Sequence, residues 1–370
     1  MKKGWKEEKL GDVCEYDKSK YYDEGLPYIG LEHIESNTGN YLGDFSLVNL
    51  KSSTFRFSKS HLLYGRLRPY LNKVLIPDFD GHCSTEIFPI KLNSEILREY
   101  LFYWFIMGST VAKINATCTG ARMPRANMNE IINFPIPIPP LAEQKKIVAI
   151  LDRAFAAIDE AKANTEQNIV NAKEIFQSRL DEIFSNPKKG WKVEKLGDVC
   201  ENLDRLRVPI SKNKRLSGKI PYYGATGIVD YVSGYIFDEE LLLISEDGAN
   251  LLARKYPIAF TVTGKSWVNN HAHVLKFSNS NLQKFVEYYI NSINLDSFIS
   301  GMAQPKLNQS KLNSIPIPIP PLAEQKKIVA ELDKLRAATD QMVENYEQKL
   351  EDLEELRKSI LEQAFLGELT

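Results

Sequence analysis

PIPIPPLAEQKKIVA occupies residues 135–149, and the same fifteen letters return at 316–330, 181 positions further on. A second echo frames it. KKGWKEEKLGDVCE at 2–15 reappears as KKGWKVEKLGDVCE at 188–201, with Val193 standing where Glu7 stood, an offset of 186. The sequence between these echoes differs in the two halves, so the chain reads constant–variable–constant twice over. Periods of this length are too long for a solenoid unit and indicate a tandem of whole domains.

The segment after each Pro-Pro decides the architecture. From Leu141 to Phe184 there is no Pro and no Gly. Ile147, Leu151, Ala154, Ile158, Ala161 and Thr165 recur at alternating steps of four and three, the seam of a pairing helix, and Ile169, Ala172, Phe176, Leu180 and Ile183 continue it after a slip. The second copy repeats the pattern at Ile328, Leu332, Leu335, Thr339, Met342 and Tyr346, then at Leu350, Leu353, Leu356 and Ile360. Proline just ahead suits a helix start, and SNPKKG at 185–190 and Gly367 supply the stops. Each helix would run roughly 66 Å at 1.5 Å per residue. With so narrow an apolar seam, each needs a partner, and antiparallel pairing is the simplest arrangement.

The globular parts read as α/β. HLLYG, NKVLIP and EIFPIK in the first half, and YIFDEELLLIS, IAFTVT and HVLKF in the second, are strand-like runs between turn residues. EILREYLFYWFIMGS and NLQKFVEYYINSI each suggest one buried helix per head. The expected fold is therefore two α/β heads separated by an antiparallel coiled coil, a pseudo-twofold internal repeat. The expected boundaries are 1–140, 141–186, 187–321 and 322–370.

Net charge is −1, but it is segregated. The 141–186 helix holds eight acidic and six basic residues, the 322–370 helix twelve and seven, which leaves the heads at +1 and +5. Acids vanish from Phe45 to Pro77, against Lys51, Arg56, Lys59, Arg66, Arg68 and Lys73. They vanish again from Arg205 to Val229, against Arg205, Arg207, Lys212, Lys214, Arg215 and Lys219. Such runs interleaved with Tyr and Asn supply cations for phosphates, and forks and amides for base edges.

The four cysteines, Cys14, Cys83, Cys118 and Cys200, form no CxxC pair, and His82, His271 and His273 read as strand or surface residues. The opening MKKGWKEEKL has no apolar run behind it, and LFYWFIMG at 101–108 is too short to span a bilayer. A reduced, cytoplasmic, non-membrane protein is the expectation. No GxGxxG, GxxxxGK[ST], [ND]PP[YF] or HExxH occurs. Asp78, Asp80 and Glu86 could meet a metal, but a solvated loop is the simpler reading. The chain reads as a recognition protein rather than an enzyme, with no catalytic, cofactor or metal site of its own.

The paired PIPIPPLAEQKKIVA…LD segments and the GWKxEKLGDVCE openings resemble those of the specificity subunits of type I restriction–modification systems. LLYGRLRPYLNK (62–73), GKIPYYGATGIVDYV (218–232), LLLISEDGANL (241–251), TGARMPRANMNEI (119–131) and SGMAQPKLNQSKL (300–312) are similar to strings of their target-recognition domains. The resemblance covers the whole chain. It implies that each head reads one half of a split double-stranded DNA target and that the helices set the spacing. It also implies that two modification subunits dock on the helices and that restriction subunits join them. S-adenosylmethionine, ATP and Mg2+ would be bound by those partners, none by this chain. The expected DNA contacts include Arg66, Arg68, Lys73, Arg122 and Arg125 in the first head, and Tyr223, Asn250, Gln304, Lys306 and Asn308 in the second. The competing reading is a non-catalytic coiled-coil scaffold presenting two protein-binding heads, which would need no acid-free basic surface.

Overall fold

The fold is that of a computed structural model describing residues 2–21, 25–44, 53–120, 122–301 and 303–369. The chain divides into two compact units, Met1–Glu166 with Gln348–Thr370, and Gln167–Glu347. Each unit combines one head with stretches of both long helices, Leu141–Ser185 and Leu322–Leu366.

The repeated letters build the joint between head and helix, and its frame is the same in both copies. Lys6–Lys9 pairs antiparallel with Pro135–Ile138, and Lys192–Lys195 pairs with Pro316–Ile319 in the same register. After the prolines, the Pro140 carbonyl accepts from Glu143 N and Gln144 N, and the Pro321 carbonyl from Glu324 N and Gln325 N, which starts each helix. Each buried glutamine turns back on its own entry. Gln144 Nε2 donates to the Pro139 carbonyl at 2.9 Å, and Gln325 Nε2 to that of Pro320 at 2.8 Å. The glutamate beside it grips the other constant segment, Glu143 meeting Lys2 at 2.8 Å and Glu324 meeting Lys188 at 2.9 Å.

In the first unit the expected seam residues Ile147, Leu151 and Ile158 are buried, with Leu361, Ala364 and Phe365 of the second helix in the same core. Asp159 pairs with Arg357 at 2.6 Å and Lys162 with Glu354, so a step up one helix matches a step down the other. The pairing is antiparallel. In the second unit Leu180 and Phe184 share a core with Ile328 and Leu332, and Arg179 reaches Glu331 at 2.6 Å. Gly367 (φ +79) ends the second helix, where an added Cβ would lie 2.8 Å from Lys2 and 3.4 Å from Trp5.

The heads share one sheet plan. In the first, the strand order is Cys14–Tyr16, Ile87–Leu92, Leu62–Gly65, Val74–Leu75. In the second it is Glu201–Asn202, Ala272–Lys276, Leu241–Ser245, Ala259–Val262, antiparallel throughout. A second four-stranded sheet completes each head. The single helix expected over 95–109 is two, Arg98–Ile106 and Gly108–Ala116, because Met107 is extended (φ −63, ψ 132). Its counterpart Ser280–Ser292 is unbroken.

These helices dock on the long ones through equivalent contacts. Tyr103 donates to Asp152 at 2.6 Å and Tyr288 to Asp333 at 2.5 Å, the aspartates being the last letter of the two LD pairs. Burial, with the aspartate accepting the phenol's hydrogen bond, pushes both phenols above the usual tyrosine range. Tyr103→Phe and Tyr288→Phe, which keep the ring, should each lower stability by about 1.5–3 kcal/mol, the range for a hydrogen bond to a charged group. Denaturant melts of the full chain measure this, and a loss near zero in both would mean that the apolar contacts alone seat the heads.

Candidate nucleic-acid interface

In each head, the loop after the central strand crosses the loop that leads to the Pro-rich joint, and the backbone of that crossing is the same twice. Arg66 N donates to the Glu86 carbonyl, Ala126 N to that of Arg66, and Arg68 N to that of Pro124. In the second head, Glu246 N donates to His271, Leu307 N to Glu246, and Gly248 N to Pro305. Arg66 thus corresponds to Glu246, Arg68 to Gly248, and Arg125 to Lys306. These bonds involve only main chain, so the crossing tolerates different side chains.

In the first head Glu86 is the hub. It accepts from Arg66 Nε at 3.0 Å and from Arg125 Nε and Nη2 at 3.0 and 2.9 Å, while the Arg66 guanidinium lies 5.1 Å from the Phe88 ring centre. Burial alone would raise the Glu86 carboxyl, but Arg125 and Arg66 outweigh it and hold it below the usual glutamate range. Arg68 and Arg122 are exposed, and neither forms a side-chain hydrogen bond or ion pair with any described residue.

In the second head the hub is Glu246, which meets Arg207 at 2.5 Å and Lys306 at 3.0 Å. Behind it, buried His273 contacts Asp204 through Nδ1 at 2.6 Å and the Leu307 carbonyl through Nε2 at 2.7 Å. Both ring nitrogens face oxygen atoms. Asp204, Glu246 and His273 lie close enough to hold a metal. The Arg207 guanidinium, however, sits between the carboxylates and supplies the positive charge itself. Burial would raise both carboxyls. His273 with Arg207 holds Asp204 low, and Arg207 with Lys306 holds Glu246 low. On the surface beside this cluster, Lys214, Arg215, Tyr222, Asn269, Asn270 and His271 line a cleft of about 560 Å3.

Residues 2–170 and 188–352 both match the family described as "Type I restriction modification DNA specificity domain". The chain belongs to that family. Among relatives, it is 36% identical over 199 residues to the putative type I restriction enzyme specificity subunit S.HindORF215P of Haemophilus influenzae, covering 49% of this chain and 51% of that protein. It is 28% identical over 190 residues to the type I restriction enzyme EcoDI specificity subunit of Escherichia coli, covering 50% and 42%. These matches span about half the length of those relatives. A solved structure described by complex assembly and conformational transition of the type I R-M system superposes with a TM-score of 0.84 at 23% identity, over 100% of this chain and 99% of that one, which establishes the fold. Among the described residues, no helix of this specificity chain is long and apolar enough to cross a membrane.

The expected contact residues separate by what their side chains already hold. Arg68, Arg122 and Gln304 are exposed and uncommitted among the described residues. Arg66, Arg125 and Lys306 lie at the crossing but share a carboxylate. Lys73, expected at the DNA surface, instead donates to the Leu31 and Ile34 carbonyls, each at 2.7 Å, and braces that loop. Asn250 clamps the backbone of Tyr256 through both amide atoms, and Asn308 caps the helix at Lys311. Tyr223 packs its ring against Phe260. Of the basic runs, Arg207 is half-buried against Glu246, and Arg215 is held by Asp230 at 2.9 Å and stacked on Tyr222. Lys51 lies outside the described residues. Asp80 accepts from Lys59 N, a loop contact. Asn269, Asn270 and His271 line the cleft without having been expected as contacts, and their sequence signal is a polar triplet between two apolar strands, with His271 read as a strand or surface residue.

A carboxyl whose pKa is depressed by folding contributes stability above its unfolded pKa, and that contribution is lost as pH falls through the folded value. Glu86→Gln should therefore cost about 1 kcal/mol at neutral pH, a partly exposed pair. The gap to the parent should close as pH drops from the ordinary glutamate range to the lower folded value. Urea titrations across that window check it, and a gap that widens toward acid would contradict the assignment.

Proposed function

We propose that this chain is the DNA-recognition subunit of a type I restriction–modification complex. In this reading each head reads one half of a bipartite double-stranded target, the paired helices set the spacing, and two modification subunits dock on the helical region. Restriction subunits then complete the nuclease. The chain itself is non-catalytic and acts in the cytoplasm, while S-adenosylmethionine, ATP and Mg2+ are bound by the partners.

One observation carries this reading. The joint between head and helix is built twice from the same residues with the same strand register, the same glutamine tie and the same Lys–Glu pair, whereas the crossing loops of the heads keep one backbone and change side chains. Two joints on one frame suit two copies of one partner, and two different loops suit two different half-sites. A groove of about 850 Å3 beside the helices in the second unit, lined by Ile175, Leu335 and Ala338 among charged residues, supports docking there. Ile175 is 49% exposed, a large apolar side chain left on a helix surface. The scaffold alternative has no use for the exposed arginines of the first head.

Sequencing of methylated sites in cells carrying the chain with its neighbouring subunits should return a two-part motif with a nonspecific gap. A single continuous motif, or none, would remove the reading. The helices offer a second test. Inserting four residues beside Ala163 adds about 6 Å, roughly two base pairs, if the helix stays continuous. Four residues exceed one turn by only about 40°, so the seam can still pair, whereas two residues would swing it by about 160°. The four-residue variant should keep both half-sites and lengthen the gap by one or two base pairs, and the two-residue variant should lose activity. An active four-residue variant with an unchanged gap would mean that the heads set the distance.

A further inference from the structure

Four non-glycine residues among those described have positive φ: Asn37 (+67), Arg68 (+51), Asn72 (+49) and Arg254 (+47). Three are accounted for locally. Asparagine enters the left-handed region more readily than other side chains, and Asn72 also donates to Asn37 Oδ1 at 3.1 Å and to the Ile106 carbonyl at 3.3 Å. Arg254 is held by its guanidinium, which donates to the Asn291 and Ile293 carbonyls at 3.2 and 2.5 Å.

Arg68 has no such anchor. Its side chain is exposed and bonds to no described residue, and it precedes Pro69, a position that disfavours helical backbone. Only its main chain is fixed, through Arg68 N to the Pro124 carbonyl at 2.7 Å and the Arg68 carbonyl to Leu71 N at 2.8 Å. The equivalent residue of the second head is Gly248 (φ +104), the residue type this conformation suits. The first head thus carries a bulky cation where its twin uses the strain-free residue. Strain of this kind persists where a side chain's direction matters. Its surroundings are cationic: Arg122 is exposed, and Arg66 with Arg125 outnumber the one carboxylate they share.

We propose that Arg68 is a specificity-determining residue of the first head, its guanidinium held out to donate two N–H bonds to the paired acceptors on the edge of one guanine. The second head lacks this contact at the corresponding place. A phosphate contact needs charge more than direction, and a lysine on an unstrained backbone would supply it. A two-armed base contact needs a fixed approach, which the Pro124 tether and Pro69 impose. The inference rests on the DNA-recognition reading above.

The test uses the full chain co-purified with its modification subunits, selection from a library of randomised DNA duplexes, and a thermal midpoint for each variant. The parent should select a two-part motif. Arg68→Gly, which relieves the strain, should melt no lower than the parent yet lose preference at one base pair of one part by about tenfold or more, leaving the other part intact. Arg68→Lys, which keeps the charge but not the fork, should lose the same preference. An unchanged motif in Arg68→Gly overturns the proposal. So does an equal loss of affinity for every duplex, the mark of a phosphate contact, and so does a lowered midpoint with both parts weakened. A parent that selects no motif removes the DNA reading itself, a result distinct from a parental motif that survives Arg68→Gly.

Discussion

The carboxamides of Gln144 and Gln325, folded back onto the carbonyls of Pro139 and Pro320, tie the first turn of each long helix to the strand that delivers it. Most of what lies beyond depends on that tie. A 45-residue helix is about 67 Å long, so a tilt of 5° at its root moves the far end by about 6 Å. The direction of departure must be set at the first turn. Pro-Pro restricts the backbone, the glutamine secures it, and the neighbouring glutamate binds the joint to Lys2 or Lys188. Each of the three constraints needs a particular residue at a particular place. The segment is repeated letter for letter because a joint of this kind leaves little to vary.

The crossing loops follow the opposite logic. Their geometry is carried by main-chain bonds that any residue except proline can make, so Arg66 and Glu246 occupy one position with opposite charge. Each head then satisfies its own hub: two arginines converge on Glu86, while Arg207 and Lys306 converge on Glu246. A carboxylate taken even partly out of water without such a partner would be costly. Charge may be rearranged freely at the crossing, provided each carboxylate keeps its cations. A fold with this property can change the side chains it presents without changing how its loops are held.

The legible parts of the fold were those governed by short-range periodicity. Ile147, Leu151, Ile158, Thr165, Ala172 and Leu180 are buried as the four–three spacing requires. Met342 and Leu356, placed in the second seam by the same spacing, are 38% and 47% exposed. A helix turns every 3.6 residues and drifts from a strict 3.5 repeat, and Arg357 takes the inward place beside Leu356, stacking 4.2 Å from the Phe155 ring centre. The break at Met107 was marked only by Gly108, which follows it in an otherwise apolar run. The candidate interface was harder to see. A run without acids in the sequence is not one without acids in space, because Glu86, Asp230 and Glu246 arrive from other strands to meet Arg66, Arg215 and Arg207.

The same consideration alters the comparison between the heads. Formal charge assigns +1 to the first and +5 to the second, which would make the second the stronger partner for a polyanion. Much of the second head's excess is already engaged. Arg207 and Lys306 share Glu246, Arg215 meets Asp230, Lys276 meets Glu239 and Lys284 meets Glu287. Lys212, Lys214, Lys219, Lys255 and Lys311 are exposed without such a partner among the described residues, as are Arg56, Lys59, Arg68 and Arg122 in the first head. Screening limits the reach of an exposed charge to about 8–10 Å in physiological salt. What a phosphate backbone meets is therefore the local set of uncommitted cations, not the domain total. By that measure the heads differ less in the number of their uncommitted cations than in kind, since Arg56, Arg68 and Arg122 of the first head are suited to directional contacts, whereas every arginine of the second head meets an acceptor.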